Sequence, residues 1–264
     1  MEPSLHPALA AVATRYPEIA HRIARSLEVP QIGLYHCEGP TQISHFNLLY
    51  EIARQVAGGF VDNTSILRKS WEECIIILNV RGQNAKAIDF EPSNDVIDYI
   101  MLHDLLKPNA MNVKLERHPE YRRPFSWRDW ESARAAGEPY TFKGSLITNI
   151  AYFLPKPNKK GLVNHGELAA DYLNEKISNG LLKNLSPRVV KVIAMHDKFF
   201  NRNDFITIDH FENLFADYQM DEYDIQFFIA MSYLDLMASL GPDQKPNLEP
   251  LSRLLAVYQP PSAF

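Results

Sequence analysis

Thiols are scarce in this sequence. It holds two cysteines, Cys37 and Cys74, and no Cys-x-x-Cys pair. That excludes a disulfide framework and predicts free thiols in a reducing compartment. No positive segment followed by an apolar run opens the chain, so no secretory signal is expected. No apolar stretch approaches the ~18–20 residues of a membrane span. The nearest, Ile225 to Leu240, is interrupted by Asp235. A basic excess is missing too: 27 Lys and Arg face 32 Asp and Glu, a net charge of −5. A protein that coats nucleic acid is usually basic, so no nucleic-acid partner is expected. Walker A, G-x-G-x-x-G, H-E-x-x-H and G-x-S-x-G patterns are all absent. The 264 residues, 46% hydrophobic and 22% charged, instead fit an ordinary globular protein of the cytoplasm.

What is present is helical periodicity. It predicts helices over 7–27 (broken near Pro17), 44–57, 92–107, 165–178, 187–200, about 207–218, 221–240 and 248–257. Thr41 and Ser44 are N-cap candidates, and Gly58-Gly59 would end the helix that follows them. Residues 28–42 carry two prolines and two glycines and read as loop. Within 64–80, the run CIIILNV fits a buried strand or a helix end equally well. Residues 108–161 are the least regular, with one or two short helices expected near 127–136 and 143–153. Long irregular segments inside compact domains are often functional. The fold class is therefore all-α, or mainly α. A helical extension over 1–40 would pack on a core domain over 41–247, and 248–264 would add a helix and tail.

Charge is uneven. Residues 107–160 hold 11 basic and 5 acidic side chains, a local +6, whereas 203–226 hold seven acids and no Lys or Arg. A basic segment of this kind can cover an anionic substrate. Arg117, Arg122, Arg123 and Lys143 are its candidate anion contacts.

Two positions stand out chemically. Asp235 lies within FFIAMSYLDLMASL, where an ionised carboxylate costs several kcal/mol unless a metal, an Arg or a helix N-terminus compensates it. His103-Asp104 lies within IMLHDLLK and poses the same problem twice. Imidazole nitrogen with carboxylate oxygen suits Mn, Fe, Co, Ni or Zn. In order, the chain runs His45, His103-Asp104, His165, His196 and Asp235, with gaps of 58, 62, 31 and 39 residues.

That order resembles the HD-domain superfamily of metal-dependent phosphohydrolases. SHFNLLYEIARQV is similar to the first-histidine helix, and MLHDLLK to the Leu-His-Asp-x-x-Lys element. NHGELAADYL resembles the His-Gly segment, VVKVIAMHDK the segment of the fourth histidine, and MSYLDLMASL the closing aspartate helix. The resemblance spans about 45–240. It departs in the long first gap, which leaves His36 as an alternative first ligand, and in the missing Gly before Lys107. The segment 108–161 has no counterpart.

The resemblance implies an HD-like helical bundle with an irregular insertion. It implies one ion held by His45, His103, Asp104 and Asp235, and a second by His165 and His196 with Asp104 bridging. One or two divalent ions are expected, Mn, Fe, Co, Ni or Zn, with Mg also admissible. The implied activity is hydrolysis of a phosphate ester or anhydride by metal-activated water. The substrate would be an anionic small molecule of the nucleotide or phosphoester kind. Asp104 would orient the nucleophile, and Lys107, four residues beyond His103, would contact phosphate with Arg122, Arg123 and Lys143. The same ligand types also occur in HD-fold non-haem diiron oxygenases of the inositol-oxygenase kind. A non-catalytic metal-binding or regulatory module is the third expectation.

Overall fold

The computed structural model describes residues 4–29, 38–39, 41–58, 68–72, 74, 93–107, 141–142, 145–146, 153–155, 162–196, 208–241 and 244–246. In chain order the helices are α1 (Pro7–Arg15), a 3-10 turn (Pro17–Ile19), α2 (Ala20–Leu27), α3 (Gln42–Ala57) and α4 (Asn94–Leu102). They continue as α5 (His165–Ser178), α6 (Pro187–Met195), α7 (Ile208–Asp217) and α8 (Glu222–Ala238). The expected all-α class holds. Two antiparallel ribbons precede α5, Thr141–Phe142 with Ser145–Leu146 and Phe153–Pro155 with Leu162–Asn164. Ser145, Leu146 and Phe153, within the short helix expected near 143–153, are extended in these ribbons. The helices expected over 127–136 and 248–257 lie outside the described residues.

Among the described residues, no helix is long and apolar enough to cross a membrane. The most apolar helix, α8, is a core element. Ile225, Phe228, Ile229, Met231, Leu234 and Leu236 are all buried, so the helix is covered on every side. It packs on α3 and α6, and α6 packs in turn on α4 and α5. Its start is fixed by a capping box. Asp221 accepts from the Asp224 amide at 2.8 Å, and Asp224 accepts from the Asp221 amide at 3.3 Å. Asp224 also accepts from Lys191 at 2.7 Å and Arg188 at 3.2 Å, which ties α8 to α6. Burial favours the neutral acid there. The Lys191 and Asp221 hydrogen bonds outweigh it and hold the Asp224 carboxyl below its ordinary range.

The N-terminal helices share the core of the later ones. Leu9, Val12, Tyr16, Ile19 and Ile23 enter the common core. At the end of α1, Arg15 binds Asn94 and Asp98 of α4, and the Tyr16 hydroxyl donates to Asp98 at 2.7 Å. This latch fixes the helix that leads into the His103-Asp104 pair.

Two helix boundaries differ from expectation, and both matter for the site. The α3 helix starts at Gln42, with Thr41 rather than Ser44 as N-cap, which adds two residues ahead of the expected start. The α4 helix stops at Leu102 instead of running to 107. Beyond it the backbone tightens to three-residue bonds, Leu105 to Leu102 at 3.1 Å and Lys107 to Asp104 at 3.0 Å.

Candidate metal centre

His103 and His196 occupy equivalent places. Each is the C-cap of its helix, α4 and α6. Each turns its imidazole back on the carbonyl three residues earlier. His103 Nδ1 lies 3.1 Å from Ile100 O and 3.2 Å from Tyr99 O, and His196 Nδ1 lies 2.7 Å from Ile193 O. A carbonyl oxygen only accepts, so Nδ1 carries the hydrogen and Nε2 keeps its lone pair. The helix ends thereby gain a donor for an orphan carbonyl and aim a metal-ligating nitrogen the other way. Stacking on Tyr99, at 5.1 Å between ring centroids, further fixes the His103 ring.

Those nitrogens face the remaining expected ligands. His45, from the first turns of α3, and Asp235, from α8, approach each other at 3.1 Å between Nε2 and Oδ1. The ligand atoms of His45, His103 and Asp235 lie within 4.8 Å of one another. So do those of Asp104, His165 and His196. His165 opens α5, and its Nε2 lies 2.7 Å from Asp104 Oδ1 and 3.1 Å from His196 Nε2. His103 and His196 rings, 5.3 Å apart, join the two groups into one cluster. All six side chains are buried.

The close contact of α5 and α6 needs Gly166. A Cβ there would stand 2.4 Å from Ile193 O and 2.6 Å from His196 Nδ1.

Lys107 is drawn into the cluster, buried, with Nζ 2.8 Å from Asp104 Oδ2. Two further residues join it without having been singled out in the sequence. Gln42 donates from Nε2 to Asp104 Oδ2. Glu38 places a carboxylate oxygen 2.9 Å from His45 Nδ1. Gln42 is the first residue of α3, ahead of the expected start, and Glu38 lies in a segment whose glycines and prolines read only as loop. Arg117, Arg122, Arg123, Lys143 and the alternative ligand His36 lie outside the described residues.

Electrostatics divide the ligands. Burial pulls His103 down to about 4, so it is neutral at pH 7. Burial also opposes charge on His45, but hydrogen bonds to Asp235 and Glu38 outweigh it and lift His45 to about 10. Burial would raise Asp104, yet Lys107, His103 and His165 hold it well below the carboxylate range. Asp235 is held low in the same way, chiefly by its bond to His45.

The donor set fits a metal. Four imidazoles and two carboxylates, with Nε2 lone pairs aimed inward on His103 and His196, form two groups that can hold divalent ions.

The pH dependence follows from His45. Its folded value exceeds the ordinary 6.5, so its contribution to stability is complete below about 6.5 and disappears as pH rises through about 10. A metal on His45 must displace that proton. Uptake should therefore strengthen by up to about tenfold per pH unit between pH 7 and 9. Calorimetric titration in buffers of different ionisation enthalpy should show about one proton released at that site. PH-independent uptake without proton release would contradict this.

No protein-family model, curated protein or solved structure matches the chain.

Proposed function

We propose that the protein is a metal-dependent phosphohydrolase of the HD superfamily. Its substrate is a phosphate ester or anhydride, a nucleotide or related phosphoester. One observation carries the reading. Residues 45, 103, 104, 165, 196 and 235, far apart in the chain, converge as six buried ligand-type side chains with a buried lysine on one of them. A core held by apolar packing alone has no need of this arrangement, because each buried polar group requires a partner.

Divalent ions bound here would supply a water of lowered pKa and would neutralise phosphoryl oxygens. His45, His103 and Asp235 would hold one ion, and Asp104, His165 and His196 the other. Helix-end hydrogen bonds at Nδ1 orient His103 and His196 before any ligand arrives. Lys107 fixes Asp104 and adds positive charge beside the reacting phosphate. The basic segment 107–160, with Arg122, Arg123 and Lys143, attracts the anionic substrate.

The test is purification without chelator or oxygen, metal quantification, and a panel of nucleotides, cyclic nucleotides, nucleic-acid ends and small phosphomonoesters. Phosphate release or ester cleavage should require metal, vanish with chelator, and be absent from His103→Ala. Two irons per chain with oxygen uptake and no hydrolysis would replace this reading by the diiron oxygenase. Failure to bind metal even after reconstitution would leave a non-catalytic module.

A further inference from the structure

His45, His103 and His196 are each held at Nδ1, but not in the same way. His103 and His196 end their helices and use the carbonyl three residues earlier, which a helix leaves over at its C-terminus. His45 stands in the first turns of α3, where carbonyls are committed to amides one turn on. Its own helix offers no orphan carbonyl there. A carboxylate from outside the helix takes that place. One Glu38 oxygen lies 2.9 Å from His45 Nδ1, and both side chains are 1% exposed. Gly39 lets the backbone bring it there. A Cβ on Gly39 would overlap Ser44 Oγ and Ser44 Cβ, so a residue without a side chain is needed where this segment lies against the start of α3. Ser44 immediately precedes His45.

We propose that Glu38 is a positioning residue of the metal centre: its carboxylate, seated on His45 Nδ1, fixes the ring so that Nε2 is the nitrogen presented to an ion beside His103 and Asp235. The proposal rests on the metal-binding part of the preceding reading and not on hydrolysis.

Glu38 is suited to this role. A carboxylate oxygen only accepts, so the hydrogen of a metal-bound imidazole stays on Nδ1 and the lone pair on Nε2. Asp235 Oδ1 lies 3.1 Å from Nε2, so the ring is held from both edges. An anionic partner also strengthens the imidazole as a donor. Removal of such an outer partner typically costs about 10–100-fold in metal affinity.

The test reads two quantities on the full-length protein. One is zinc affinity, from competition with a chromophoric chelator. The other is nitrogen NMR of the zinc form with isotope-labelled histidine rings. In wild type, His45 should carry hydrogen on Nδ1 and zinc on Nε2. Glu38→Ala should weaken zinc binding by about 10–100-fold and shift the His45 Nδ1 resonance more than those of His103 and His196. Glu38→Gln keeps an oxygen that can accept from Nδ1 but drops the charge, so its loss should be smaller. Circular dichroism confirms that each variant is folded. Should Glu38→Ala fail to fold, Glu38→Gln must show the loss and the selective shift on its own. Zinc affinity within about threefold of wild type in the folded variants would overturn the proposal while leaving metal binding intact. So would zinc on His45 Nδ1 in wild type. Equal displacement of all three histidine resonances, as a general loosening of the site would produce, would overturn it as well. A wild type that binds no zinc would overturn the metal reading and this proposal together.

Discussion

In Asp104→Ala, turnover should fall to background and stability should fall by about 3–5 kcal/mol. The two losses have different origins. On the proposed reading, turnover is lost because Asp104 would supply a ligand oxygen beside His165 and His196 and holds the position of Lys107. Stability is lost because Lys107 Nζ, Gln42 Nε2 and His165 Nε2 all direct hydrogens at this one carboxylate. Removal takes from the buried Lys107 ammonium the carboxylate that compensates it. A double variant separates the effects. Asp104→Ala with Lys107→Met should recover most of the stability, since no charge remains to be compensated, and none of the turnover. Denaturant unfolding and phosphate release, run on the same preparations, measure both. Full activity in Asp104→Ala would sink the site assignment.

Gly166→Ala adds one methyl group and should cost about 1–3 kcal/mol, together with at least tenfold weaker metal binding by the Asp104, His165 and His196 group. The new carbon would meet Ile193 O at 2.4 Å and His196 Cε1 at 2.7 Å. Neither can step aside cheaply. Ile193 O is backbone, and the His196 ring is hydrogen-bonded to that same oxygen. The helices α5 and α6 must separate, and His165 and His196 separate with them. Gly180→Ala is the control. Gly180 ends α5 with φ +73° and closes a Schellman motif, with Leu181 N bonded to Lys176 O and Gly180 N to Ile177 O. Its substitution should cost about 1 kcal/mol through backbone strain and leave metal affinity unchanged. Equal metal loss in both variants would point to general destabilisation instead.

Asp235 and the His103-Asp104 pair were legible because each breaks a local rule, whereas His45, His165 and His196 were picked out by their order along the chain. A histidine and an aspartate amid Ile, Met and Leu, or a lone aspartate in α8, demands a partner that the same helix cannot provide. The helix periodicity that exposes this conflict also locates the helices. The partners were not legible. Gln42 and Glu38 are ordinary polar residues beside glycine and proline, and nothing local distinguishes them from solvated loop. Their roles arise from contacts 62 and 7 residues away along the chain, Gln42 with Asp104 and Glu38 with His45. The early end of α4 was hidden for a related reason. Apolar periodicity continues through Leu105 and Leu106, both buried, while the backbone changes its bonding pattern beneath them.

The charges enclosed around the site bear on what it will accept. With each carboxylate ionised, Glu38, Asp104 and Asp235 bring three negative charges, and Lys107 brings one positive. Among the described residues, the proton on His45 leaves these groups at −1 in sum. One divalent ion in place of that proton neutralises the enclosure, and a second turns it to +2. So large an excess in a region shielded from solvent is costly until a counter-ion enters. A phosphate monoester, with a charge of about −1.5 to −2 at neutral pH, matches it. The fully loaded cluster would thus select for dianions before any side chain of the basic segment touches the substrate.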